Sequence, residues 1–391
     1  MTGSSEVHAP GGPVESGVIP LAIPDIGPAE RAAVLEALDT GFVSSVGPAV
    51  DEFERMFAEL VGSTYAVACS SGTAALHVAL RLVGVEEGDE VFCSDFTFIG
   101  SSNPIAYQGA RTTLVDSEPG TWNMDPELVR VELARRRAAG EPLPKALELV
   151  HVLGQPANAD AILDVCDEYG VVVIEDAAES LGASWTSGPL AGRSTGSVGR
   201  IGCFSFNGNK IATAGGGGMI VTDDESLARR AKHLTTQAKV PDVAYLHDEV
   251  GYNYRLTNLA AALGLAQVGR LAEFVTSKRA TAAFYDAELG DLPVELPPRV
   301  DGMDATYWLY SILVRDAAQR GELISHLKDR GIQGRALWRP LHEQPPFADS
   351  NRLGGAVASS LFERGLSLPC STSITDSERQ KVVGAVAEFF G

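Results

Sequence analysis

The sequence predicts an α/β protein: a large domain with a mostly parallel seven-stranded sheet between helices, followed by a smaller α+β C-terminal domain. Three observations carry this. Apolar runs of strand length recur from Tyr65 to Thr222, helix-patterned segments lie between them, and the pattern changes after Asp223. With 391 residues, 45% hydrophobic and 21% charged, the chain is long enough to bury a large core and to divide in two.

The expected strands are 65–69, 90–93, 112–115, 147–152, 171–175, 201–206 and 219–222. Helices are expected between them at 73–82, 126–137 and 159–168, an alternation that gives parallel strands covered on both faces. After a helix at 225–234, one long amphipathic helix over 256–288 is expected to bridge the domains. The small domain is then a strand at 306–314 with helices at 317–330, 355–364 and 376–390. The expected boundaries are a flexible polar tail at 1–18, a large domain at 19–270 and a small one at 271–391, with no internal repeat.

A formal charge of −20 argues against a nucleic-acid partner, because phosphate backbones demand a basic face. An anionic ligand must instead be held by helix N-termini, backbone amides and a few placed cations. No apolar run approaches the roughly 20 residues that span a bilayer, and the first residues lack a signal peptide's basic start and apolar stretch. A cytoplasmic protein with no membrane contact is expected. The five cysteines, Cys69, Cys93, Cys166, Cys203 and Cys370, are odd in number and widely spaced, which fits buried inert thiols better than disulfides or a metal site.

Several segments pair a bland reading with a chemical one. Ser70-Ser-Gly72-Thr73-Ala-Ala-Leu76 follows a strand and opens a helix, so its N–H groups and hydroxyls either cap that helix or cradle a phosphate. Asp176 closes a buried strand at the sheet edge where ligands of open α/β sheets bind. There it either caps a following helix or holds a pyridine nitrogen protonated. Lys210 closes the strand-to-loop run Phe204-Ser205-Phe-Asn-Gly-Asn-Lys210 and is either a solvated charge or an amine able to attack an aldehyde. The glycine run 215–218 lacks the order of a nucleotide-binding loop and reads as close backbone packing. Gly251 to Asn258 is either a helix start or a polar, aromatic binding segment, and Trp338 to His342 places a ring, a cation and an imidazole together.

At these residues the chain resembles the DegT family of sugar aminotransferases, with the fold of type I pyridoxal-5'-phosphate (PLP) enzymes. The resemblance runs from Ile19 to the end. It rests on Gly47-Pro48 with Phe53-Glu54, Ser71-Gly72-Thr73-Ala-Ala-Leu-His77, Thr97-Phe98, His151-x-x-Gly154-x-Pro156, Glu175-Asp-Ala-Ala178, Phe204-Ser-Phe206, Asn209-Lys210 and Asn253-Tyr-Arg255. It implies Lys210 as the Schiff-base lysine and proton carrier, Asp176 as partner of the pyridine nitrogen, and Phe98 as the ring that stacks on the cofactor. It further implies Gly72, Thr73 and Ser205 at the phosphate, Glu179 near the phenolic oxygen, and Asn253 reaching the cofactor phosphate of the other subunit in an obligate homodimer.

Within that family, Phe206-Asn-Gly-Asn-Lys210, Thr235-Thr-Gln-Ala238, Tyr252-Asn-Tyr-Arg255, Arg335-x-Leu-Trp338 and Gly365-Leu-Ser-Leu-Pro369 look most like the branch that makes N-acetylbacillosamine and legionaminic acid precursors. Such enzymes use L-glutamate to aminate C4 of a UDP-linked 4-keto-6-deoxy-N-acetylhexosamine; other family members act on GDP- or dTDP-linked sugars, at C3 or C4. Arg255, Arg335 and Arg339 are candidate holders of the diphosphate and His342 of the sugar, with surface charge as the alternative. No metal is expected. Gly216 departs from the family, where many members carry Glu, and the extension 1–18 is not required by it. Family members that dehydrate sugars carry His at the lysine position, so Lys210 argues against that chemistry, and the full set of site residues argues against a non-catalytic scaffold.

Overall fold

The computed structural model describes residues 17–241 and 244–391. Most of the tail expected at 1–18 lies outside these residues; Ile19 is already anchored, its N–H donating to the Gly331 carbonyl at 2.8 Å.

Helices α1 (Pro28–Asp39) and α2 (Pro48–Val61) come first, each with proline in its opening turn, where the missing N–H carries no penalty. Strand β1 (Tyr65–Cys69) then leads into α3 (Gly72–Leu82), capped by the Ser71 hydroxyl, which accepts from the Ala74 N–H at 3.0 Å. Strand β2 (Glu90–Ser94), the short α4 (Asn103–Tyr107) and β3 (Arg111–Val115) follow. Next come α5 (Pro126–Ala139), β4 (Ala146–Val150), α6 (Ala159–Tyr169) and β5 (Val172–Asp176). The two-residue β6 (Ser184–Trp185) precedes β7 (Ile201–Ser205), β8 (Gly218–Thr222) and α7 (Glu225–Thr235).

All seven expected strands form one sheet, and an eighth joins it: β12 (Asn351–Leu353), from far along the chain, pairs in parallel with β3. The order is β1-β8-β7-β5-β4-β2-β3-β12. Only β8 runs antiparallel to its neighbours, β1 and β7, so the sheet is mostly parallel as expected. A period-2 pattern alone gave no hint of β12, which is too short and polar for one.

The helix expected over 256–288 is two. Helix α8 (Asn258–Gly269) and α9 (Leu271–Leu289) meet at a 59° bend. The break falls at Gly269 and Arg270, where the Arg270 guanidinium turns to Glu30 at 3.0 Å and Asp25 at 3.4 Å. The two helices thereby meet different partners: α8 packs on α1 and α2, α9 on α12 (Asp376–Phe390). No single helix among the described residues is long and apolar enough to cross a membrane.

Beyond a short ladder between β6 and β9 (Met303–Asp304), the expected strand at 306–314 contracts to β10 (Tyr310–Leu313). Tyr307 has φ 51, a left-handed conformation incompatible with a strand. Strand β10 pairs with β13 (Gly365–Leu368), which pairs with β11 (Arg335–Ala336), and α10 (Ala317–Asp329) and α11 (Ala356–Arg364) cover this three-stranded sheet.

Candidate active site

The parallel strands end on one edge, and there the sequence-singled residues converge. Gly72 opens α3 against the end of β7: a Cβ at Gly72 would sit 2.8 Å from Ser205 Cβ, so only glycine allows this approach. The hydroxyls of Thr73 and Ser205 make no hydrogen bond among the described residues. With the Gly72 and Thr73 N–H groups at the start of α3 they form a set of free donors at the positive end of a helix, the environment an anion needs. Tyr254 lies alongside, its carbonyl accepting from the Ser70 N–H at 2.8 Å.

Asp176 ends β5 at 5% exposure. Its Oδ2 accepts from Ser101 Oγ at 2.7 Å and its Oδ1 from the Ala178 N–H at 3.0 Å. A turn, not a helix, follows it, so the helix-cap reading fails. Ser101 belongs to the 97–101 segment that also carries Phe98, 57% exposed, an unusual state for a large ring in an otherwise buried wall. Gly100 ties that segment to Thr73, since a Cβ there would meet the Phe98 ring at 3.1 Å and Thr73 Oγ1 at 3.4 Å.

Lys210 follows β7 in a turn, its backbone N–H donating to the Asn207 carbonyl at 3.0 Å. Its Nζ lies 3.5 Å from Glu179 Oε1 and 3.9 Å from the centroid of the Trp308 ring. Glu179 Oε2 accepts from the Leu153 N–H at 2.9 Å. Burial pushes the Glu179 carboxyl up to about 7, against the opposing pull of Lys210 and of the Leu153 N–H. Neither Trp308 nor Ser101 has a signature in the sequence. Trp308 sits in what reads as a strand, and Ser101 in a polar loop.

The remaining residues are less closely drawn in. Asn253 is exposed and its side chain makes no hydrogen bond among the described residues. Arg255 lies beside Cys69 in a backbone bridge and Arg335 on β11, both without a side-chain partner among the described residues. Arg339 pairs with Glu343 at 2.8 Å and stacks over Phe362 at 4.7 Å, so its charge is already engaged. His342 Nδ1 lies 2.5 Å from Asp95 Oδ2, and its Nε2 faces Ser359 Oγ at 3.4 Å, a tether between β2 and the C-terminal part of the chain. Glu175 likewise holds loops: it accepts from the N–H groups of Gly196, Val198 and Gly199 and lies 2.9 Å from His151 Nε2. All five cysteines are buried, and burial pushes the thiols of Cys69 and Cys166 up to about 12.

An anion cradle, an exposed stacking ring, a fixed carboxylate and a shielded lysine match, in turn, the phosphate, ring, ring nitrogen and aldehyde of PLP. Fold and donor set together define a fold type I PLP-dependent aminotransferase. The chain belongs to the DegT/DnrJ/EryC1/StrS aminotransferase family, which matches residues 24–387. It is a PLP-dependent sugar aminotransferase.

It is 41% identical over 375 residues to EpsN of Bacillus subtilis (strain 168), covering 95% of each chain. It is 37% identical over 373 residues to the GDP-perosamine synthase of Caulobacter vibrioides, covering 94% of this chain and 97% of that one. Among solved structures it resembles a DegT DnrJ EryC1 StrS aminotransferase from Brucella abortus, with a TM-score of 0.86, 29% identity and 93% and 95% of the two chains covered. DesV of S. venezuelae gives a TM-score of 0.83 at 31% identity over 92% and 94%.

Proposed function

We propose that this enzyme moves the amino group of L-glutamate to the C4 keto carbon of a nucleotide-linked 4-keto-6-deoxy sugar, with Lys210 as the catalytic amine. The observation that carries this reading is Lys210 Nζ between the Glu179 carboxyl at 3.5 Å and the Trp308 ring at 3.9 Å. An amine so shielded at the ligand-binding edge of the sheet is where a carbonyl chemist is needed and a surface charge is not. When bound, PLP supplies an aldehyde that takes up amino groups and a ring that draws electrons from the carbon losing its proton.

The chain's own residues do the rest. Gly72, Thr73 and Ser205 hold the phosphate, Phe98 stacks on the ring and Asp176 keeps the ring nitrogen protonated. Glu179 holds Lys210 Nζ in place. That nitrogen takes the proton from the α-carbon of glutamate and, in the second half-reaction, delivers one to the sugar carbon that receives the amine.

For the acceptor, the motifs around Lys210, Arg255 and Arg335 favour a UDP-linked 4-keto-6-deoxy-N-acetylhexosamine. A second reading, a GDP-linked keto sugar, is favoured by the similarity to GDP-perosamine synthases. Arg255 and Arg335, with no competing partner among the described residues, are the better candidates for the diphosphate; Arg339 would first have to leave Glu343. Comparing initial rates with the UDP- and GDP-linked keto sugars, glutamate in excess, separates the two. A rate seen only with the GDP-linked sugar sinks the first.

The reading includes a cytoplasmic homodimer divided into domains at 19–270 and 271–391, with Asn253 serving the partner's cofactor. Support for the dimer comes from exposed Phe42, Val43 and Val46 between α1 and α2. That segment is fixed beside the helix that follows Asn253: the Asn258 side chain donates to the Phe42 carbonyl at 2.8 Å and its N–H to that of Ser44 at 2.6 Å. An exposed apolar patch of this kind usually marks an interface.

A further inference from the structure

Glu148 lies in the middle of β4 at 0% exposure, and neither of its carboxyl oxygens has a hydrogen-bond partner among the described residues. Buried polar groups almost always find partners, and an ionised carboxylate without one is several kcal/mol out of place. Such a group keeps its proton. Burial, reinforced by the charge of Asp176, holds the Glu148 carboxyl well above the usual carboxylate range.

Strand register says what the retained proton faces. Glu148 sits beside Ile174 of β5 and Cys93 of β2, while Val150 sits beside Asp176. Asp176 in turn sits beside Cys203 of β7. Because side chains alternate across a strand, Cys93, Glu148, Ile174, Asp176 and Cys203 share one face. Glu148 and Asp176 are diagonal neighbours, roughly 7–8 Å apart along the backbone; their carboxyls make no direct hydrogen bond, and the spacing suits one bridging water.

The alternatives on that face are poor acceptors. The Cys93 and Cys203 thiols are pushed well above their ordinary range by burial and stay uncharged. Asp95, at the end of β2, is taken by His342. On the helices above, His77 of α3 is bonded to Tyr254, Arg81 faces Glu249, and Tyr107 of α4 is exposed. The ionisable side chains of α7 are engaged outward: Lys232 with Glu54, Arg230 with Glu249, Arg229 with Glu225 and His233 with Asp248. On that face, Asp176 is the anion left to accept among the described residues.

We propose that Glu148 is a positioning residue for the cofactor: a neutral carboxyl behind Asp176 that gives it a hydrogen bond through one bridging water and so limits how tightly Asp176 holds the proton on the ring nitrogen. This rests on the reading of Asp176 given above. A hydrogen bond donated to a carboxylate stabilises its charge and lowers its basicity, so removing the donor makes Asp176 the stronger base. Glu148→Met keeps the volume and removes the donor; Glu148→Gln keeps a weaker one.

The test follows the nitrogen-15 NMR shift of ring-labelled PLP bound to the protein across pH, alongside the melting temperature of the PLP-free protein. In Glu148→Met the spectral transition that reports loss of the ring-nitrogen proton moves upward by about one pH unit, a tenfold change in that equilibrium. Glu148→Gln moves the same way by less, and serves alone if the Met variant does not fold. For the PLP-free protein, the folded state favours protonated Glu148, so this stability is present at low pH and fades as pH rises; both variants flatten that loss. A spectral transition that stays at its wild-type pH in the variants overturns the proposal, even if the melting curves change. Asp176→Asn separates the two readings: if it leaves PLP affinity and the transition untouched, Asp176 is not the ring-nitrogen partner and the earlier reading fails first.

Discussion

The Trp308 indole both covers the Lys210 amine, 3.9 Å from the ring centroid, and grips the turn that carries it, donating its N–H to the Asn209 carbonyl at 2.7 Å. Trp338 stacks behind at 6.1 Å, and the Trp308 carbonyl accepts from the buried Lys278 Nζ at 2.9 Å. Lys210 is thus held from the ring face, from its own loop and from Glu179. Replacing Trp308 with Leu removes the ring and the bond to Asn209. A tenfold to hundredfold drop in kcat is expected, about what a misplaced reacting group costs, with Trp308→Phe in between. Steady-state kinetics check this; a Leu variant with wild-type kcat would show that the indole merely packs.

Lys210→Ala should abolish turnover and remove the visible absorbance of the lysine-bound cofactor, while the melting temperature changes little. The side chain is shielded, 13% exposed, but its amine belongs to the site and not to the hydrophobic core. An absorbance scan with thermal melting decides it.

Gly72→Ala places a Cβ 2.8 Å from Ser205 Cβ, between the two arms of the proposed phosphate cradle. Overpacking of this kind costs about 1–3 kcal/mol. The expected result is PLP affinity weakened by one to two orders of magnitude, read by fluorescence titration, with far-UV circular dichroism unchanged.

The Glu179 carboxyl is held near 7 against an ordinary value of 4.5. The folded state therefore binds its proton more tightly than the unfolded chain. This contribution is fully present below about pH 4.5 and is lost as pH rises through about 7, on the order of 3 kcal/mol in all. Glu179→Gln in the PLP-free protein should narrow the difference in melting temperature between pH 5 and pH 8. An undiminished difference would mean Glu179 is ionised throughout.

The large sheet was legible because its strands are mostly buried apolar runs, such as Met219 to Val221, with caps and glycines between. The helix over 256–288 was legible as helix but not as two, since the bend at Arg270 answers to Glu30 and Asp25, far away in sequence. The shortened strand before β10 likewise answers to a residue far away in sequence: Thr306 donates to the Gly154 carbonyl at 2.9 Å, and the next residue, Tyr307, lies outside the β region. In the site, residues on motifs carry their own signals, as Gly72, Asp176 and Lys210 do. Trp308, Ser101 and Glu148 acquire meaning only from neighbours that the fold supplies, and the contacts of Arg339 with Glu343 and of His342 with Asp95 are likewise invisible in the sequence.

The most direct measurement is a single turnover on purified PLP-loaded enzyme. L-glutamate is added and the visible absorbance followed; the donor is then removed, the UDP-linked 4-keto-6-deoxy-N-acetylhexosamine or the GDP-linked keto sugar is supplied, and the product is read by mass spectrometry. Loss of absorbance with glutamate, its return with the keto sugar, and an amino sugar in stoichiometric amount are the expected result. Absorbance that glutamate leaves unchanged, with no amino sugar formed from either acceptor, would contradict transamination at Lys210.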